Sequence, residues 1–171
     1  MEIVQSSDEA MLIIISNDEA NSYMDIKYRY IKRDITAIKS NVWTTQVSEF
    51  EFIDENWNKM SYANCTITAE YAWNTNEGIE KLIDWSISTK YCTWHNPSLW
   101  ILFDFWENWI SVKTYNRYRR YTANDTYQRD PNNRTISWSN DNQNYKVIST
   151  VTWANVTNNR NSLAWTWEFT L

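Results

Sequence analysis

Apolar and polar residues alternate along much of this chain with a period of two, the spacing of a half-buried β-strand. Met24, Ile26, Tyr28 and Tyr30 alternate with Asp25, Lys27 and Arg29, which gives one oily and one charged face. The apolar run at 10–16, ahead of a polar NDEANS stretch, predicts the other arm of a hairpin. Ile31, Ile35 and Ile38 have helical spacing, but the alternation before them favours a strand followed by a helical turn. Residues 43–53 and 60–73 read as strands separated by the polar turn DENWN. Residues 99–106 (LWILFDFW) are apolar at nearly every position, as in a central strand covered on both faces.

Further strands are predicted at 109–122, 135–139, 145–156 and 162–171, the last three joined into two successive hairpins by the turns NDNQN and TNNRN. In the second hairpin Val147, Val151 and Trp153 should share a buried face with Leu163, Trp165, Trp167 and Phe169. Positive φ in the 157–161 loop should fall on an Asn. One segment has a different period. Ile79, Leu82, Ile83, Ser86 and Ile87 fall on one helical stripe, predicting an amphipathic helix over about 76–88. Asn74 with Glu77 would form its capping box, and Glu77 with Lys81 an i, i+4 pair. No repeat or composition break divides the chain. The expectation is one mainly-β domain over 1–171, an antiparallel sandwich or barrel of about eight or nine strands with that one helix.

Composition then narrows the function classes. Of 171 residues, 43% are hydrophobic, a globular proportion, and the formal net charge is -5. Gly occurs once, at Gly78, where average usage would give about 12. Trp occurs 12 times and Tyr 11. An AT-rich genome would suppress Gly, but it would suppress Trp too and raise Phe, which stands at 5. The usage is that of strand formers with Asn in the turns, Asn being the best non-Gly residue at positive φ. It suits an artificial, computationally generated chain with no evolved activity, or a natural one of eccentric composition. A chain with one Gly has no Gly-rich phosphate loop, dinucleotide fingerprint or nucleophile elbow. The aliphatic run at 11–15 is too short to span a bilayer, and the acidic start is unlike a secretory leader. A soluble, cytoplasmic monomer is expected.

Candidate chemistry is sparse. Cys92 and His95 share the loop YCTWHNP, but a structural zinc needs four ligands, so neither a metal nor a cofactor is expected. Cys65 and Cys92 are read as free thiols, with a disulfide as the alternative. Sequons at Asn64, Asn124, Asn133 and Asn155 are no more than this composition gives by chance. Asp104, in the most apolar strand, would gain a raised pKa by burial. With Glu107 or Glu168 it would make the carboxylate pair of a glycoside hydrolase. The plainer reading places Asp104 at a hairpin end, satisfying turn amides. Lys113, Tyr115, Arg117, Arg119 and Tyr121 line one face of a basic-aromatic strand. The acidic total argues against nucleic acid, and pairing with the Glu49–Glu51 segment is the simpler role. A non-enzymatic scaffold that binds a sugar or similar small polar ligand fits best, because twelve tryptophans exceed what one such core can hide. Trp57, Trp94 and Trp109, near loops, are the candidate stacking faces, with Tyr115, Arg117 and Arg119 beside them. An acidic inhibitor or immunity-type domain with a basic protein partner is the other alternative.

If Trp167 points inward, Trp167→Ala costs about 3–5 kcal/mol in urea melts, whereas Thr166→Ala, on the opposite face, stays within about 0.5 kcal/mol. Equal costs would refute the inward assignment.

Overall fold

Most of the period-two segments become strands in the computed structural model, which describes residues 27–40, 42–71, 76–94, 98–106, 110–111 and 114–169. In chain order these are β1 (Lys27–Tyr28), β2 (Tyr30–Ile38), β3 (Thr45–Val47), β4 (Phe50–Ile53), β5 (Thr66–Ala69) and β6 (Tyr91–Thr93). There follow β7 (Leu99–Asp104), β8 (Ile110–Ser111), β9 (Arg117–Tyr121), β10 (Pro131–Ser139), β11 (Lys146–Val151) and β12 (Leu163–Glu168). The largest sheet has the order β11-β10-β2-β7-β5 and the second β12-β9-β4, with β3-β6 and β1-β8 as short pairs. All pairings are antiparallel. The fold is mainly β and sandwich-like, as the alternation predicts.

A layer of rings joins the two larger sheets. Phe103 of β7 lies 5.5 Å from Phe50 and 5.4 Å from Phe52, both on β4. Tyr118 of β9 stacks at 5.3 Å on Phe50 and at 5.3 Å on Trp167 of β12. Ile31, Ile35, Ile101 and Ile136 bury completely on the facing side of the large sheet, each contributing about 1.5–3 kcal/mol. β2 remains extended through Ile38 instead of ending in a helical turn. Its register against β10 slips between Asn133 and Arg134, leaving Thr36 outside the ladder, so Ile35 and Ile38 both turn to the core.

Two expectations are corrected. The helix over 76–88 is only a 3-10 turn, Ile79–Leu82, of which Leu82 alone is fully buried. Ile83 leaves helical geometry, and Trp85 sits at φ 67, where no helix continues. Glu77 pairs with Lys90 at 3.4 Å, and Lys81 with Asp84 at 3.7 Å, in place of the expected Glu77–Lys81 pair. Asn74 lies outside the described residues, as do the 10–16 strand, Met24 and Ile26.

The second correction concerns the C-terminal hairpin. β11 pairs with β10, but β12 crosses to the other sheet and pairs with β9. A bulge between Ile136 and Ser137 shifts β11, so Ile148 and Ser149 face inward and Val147 outward. A one-residue slip reverses every side chain beyond it. Val147 is accordingly exposed, and so are Trp153, in the reversal past β11, and Leu163, at the start of β12. Trp167 and Phe169 do reach the core, and Asn161 carries the positive φ expected in the 157–161 loop. Cys65 and Cys92 are both free. Among the described residues no helix is long and apolar enough to cross a membrane.

Phe103 touches rings on both sides of the inter-sheet layer. Phe103→Ala should lower stability by about 3–5 kcal/mol in urea, against less than about 0.5 kcal/mol for exposed Thr68→Ala on the neighbouring strand.

Candidate ligand-binding groove

The segment after β11 folds back without a glycine. Trp153 makes the reversal at φ 52, and its backbone N–H donates to Asn133 Oδ1 at 2.7 Å. Ala154 N–H then donates to the Asn132 carbonyl at 3.1 Å, and Val156 buries as an anchor. Lys39, just past β2, ties the far side: its Nζ donates to the Val156 carbonyl at 2.8 Å and also to Asn158 Oδ1. The Lys39 ammonium lies 4.9 Å over the Tyr127 ring. Partial burial lowers its pKa, with the Asp130 charge opposing that shift.

These contacts border an open, shallow groove of about 540 Å³, lined by Lys39, Tyr127, Asn132, Trp153, Asn155 and Asn158 among others. That volume lies within the usual range for small-ligand sites, roughly 300–1,000 Å³. Trp153 is 81% exposed, and an indole so open at a left-handed backbone position is an outlier costing about 1–2 kcal/mol. Asn132 is buried in the wall, and its Oδ1, itself shielded from solvent, accepts no hydrogen bond from the described residues. The groove thus combines a flat apolar face, a phenol, several amides and an ammonium.

The residues singled out from the sequence lie elsewhere. Trp57 is exposed in the turn that the Asp54 carboxylate organises by accepting from the Asn56 and Asn58 amides. The Arg117 guanidinium sits 5.4 Å over the Trp57 ring, so these two do come together. Trp94 is exposed at the end of β6, Tyr115 packs half-buried against the core, and Trp109 and Lys113 lie outside the described residues. Arg119 is bound to Glu51, directly opposite it in the β4–β9 ladder, which is the charge pairing the sequence suggested.

Asp104 ends β7. Its carboxylate accepts from Arg29 Nε at 2.9 Å, from Arg29 Nη2 at 3.1 Å and from the Trp106 amide at 2.9 Å. Desolvation raises its pKa, but the Arg29 and Trp106 hydrogen bonds outweigh that and hold it below the usual carboxylate range. The raised pKa expected of a proton donor is therefore not found. Glu107 lies outside the described residues, and Glu168 stands opposite Arg117 in the β9–β12 ladder. Among the described residues no cluster of His, Cys, Asp or Glu could hold a metal. His95 is outside them.

Sequence reasoning missed Trp153 because strict alternation assigned it inward. The available signal was the Asn-rich run at 154–159, which resists further strand pairing. Compared with models of known families, with curated proteins and with solved structures, the chain matches none.

Among the described carboxyls Glu49, beside Asp84 and the Ser86 amide, is shifted upward. Burial first, then the Asp84 side chain, pushes it up to about 8. In the unfolded chain Glu titrates near 4.3. The native state therefore binds the proton more tightly, and stability falls as pH rises from about 5 to about 8. Glu49→Gln should remove that decline, up to about 1.4 kcal/mol per pH unit, in urea midpoints measured across the range.

Proposed function

We propose that this protein is a non-catalytic β-sandwich module that binds a carbohydrate or a similarly hydroxylated small ligand in the groove at Trp153. The observation that carries the reading is Trp153, 81% exposed on a left-handed backbone at the wall of the groove. A sugar ring presents C–H faces that pack on an indole and hydroxyls that donate to carbonyl and amide oxygens. Tyr127 supplies a second ring, and Asn155 and Asn158 supply neutral donors and acceptors. Lys39 is held by Val156, Asn158 and Tyr127, which orients the rim before any ligand arrives. Hydrolysis has less support, because Arg29 keeps Asp104 ionised and unsuited to donate a proton.

Trp153→Gly tests the reading. It relieves the left-handed strain, so stability should hold or rise by up to about 1 kcal/mol. Calorimetric titration with simple sugars should show millimolar binding in the wild type, lost by about tenfold or more in the variant. A flat titration of the wild type across neutral hexoses, N-acetyl sugars and disaccharides would refute it.

A further inference from the structure

The inner faces of the two larger sheets hold an unusual set of side chains. Arg33 of β2, Arg134 of β10 and Arg120 of β9 are all 1% exposed or less. Eight of their nine guanidinium nitrogens find no hydrogen-bond partner among the described residues; only Arg134 Nε does, donating to the Tyr118 hydroxyl at 3.1 Å. The three converge. Arg120 and Arg134 each lie 5.2 Å from the Trp165 ring, and Arg134 also lies 5.4 Å from Tyr118. Arg33 lies 5.0 Å over Phe50, which stacks on that same Tyr118. Burial, and then the charges of the other two, push Arg33 well below its ordinary pKa. Arginine nonetheless keeps its proton inside proteins, so the interior carries an uncompensated positive charge.

We propose that Arg33, Arg120 and Arg134 form an internal binding site for a small tetrahedral oxyanion, phosphate or sulfate, between the two sheets. Buried charges require a partner, and aromatic faces offset only part of the cost of desolvating them. The carboxylate whose charge acts on Arg120 is Asp130, and its oxygens are already taken by Arg160 at 2.6 and 3.2 Å and by Gln46 at 3.2 Å. Asp130 is thus shared with Arg160 and forms no hydrogen bond with the three guanidiniums, so the cluster keeps a net positive charge. Guanidinium forks bind oxyanions through paired parallel hydrogen bonds, and a tetrahedral ion offers edges to several forks at once. A halide offers none. The occupant must be small, since the site is enclosed. Trp165 and Trp167, 4.4 Å apart, cover it from the edge strand β12, with Trp167 only 3.4 Å from the Arg134 guanidinium. Access requires those indoles to move, so they report on occupancy. The inference is independent of the sugar groove, which none of these residues lines.

The test is thermal unfolding and tryptophan fluorescence of the full chain, first exchanged into chloride buffer, then titrated with low-millimolar phosphate at constant ionic strength. The expected result is a saturable rise in Tm and a saturable fluorescence change with phosphate and sulfate but not with chloride or acetate. Arg33→Met should weaken phosphate binding by about ten- to a hundredfold while raising Tm in chloride, because it removes an uncompensated charge. If Arg33→Met does not fold, phosphorus NMR of the wild type decides, by a bound resonance of one phosphate per chain. A wild-type chain whose Tm responds no more to phosphate than to chloride, or whose NMR shows no bound resonance, would overturn the proposal. So would an Arg33→Met chain that binds as tightly as the wild type.

Discussion

The contact between Phe103 and the Phe50–Phe52 pair determines how the rest of this molecule is arranged. It holds the two larger sheets at the spacing that interleaved rings allow, about 10 Å. At that spacing an inward side chain near the middle of a strand cannot reach water. The arginines at 33, 120 and 134 must therefore lie along ring faces; just ahead of β4, Glu49 is likewise buried, beside Asp84, and is driven toward its neutral form. Apolar packing here fixes the protonation and charge of the few polar groups it encloses.

A second constraint comes from the near absence of glycine. Every chain reversal that needs a left-handed residue must place a side chain there. Among the described residues six non-glycine residues take positive φ, and four of them are tryptophans, at 57, 85, 106 and 153. All four indoles are about half exposed or more. Each is then used by a neighbour: Arg117 lies over Trp57, Lys59 over Trp85 and Arg29 over Trp106, while Trp153 flanks the groove. Cation–π contacts of this kind return part of the backbone cost.

The sheet architecture was legible because alternation is a local signal. β4, β5, β7, β9, β11 and β12 lie inside the segments read as strands, and the 157–161 loop has its positive φ on Asn161. What failed depends on non-local pairing. Nothing in the 145–171 segment says that β12 joins β9 rather than β11, since both partners are amphipathic strands. The bulge at Ile136–Ser137 turns Val147 outward although its own neighbours alternate correctly. The apolar stripe at 79–87 has helical spacing, yet Trp85 at φ 67 stops the helix. The groove was least legible, because its parts come from residues 39, 127, 132 and 153–158, which only the folded chain brings together. Exposed Trp was foreseen as a class; which Trp was not.

Strand order also bears on how this chain reaches its native state. Among the described pairings only β10 with β11 joins strands consecutive in sequence. β2 must find β7 and then β10, roughly a hundred residues downstream, and β4 must wait for β9. Each of these ladders closes a long loop before any ring meets its partner, an entropic toll that grows with separation. Such a topology places folding in the slow, millisecond-to-second regime of all-β domains, with β10–β11 as the one pairing available early. Until β12 docks, the edge of β9 and its aromatic face stand uncovered, so the interval before the last strand arrives is when the chain is most open to self-association.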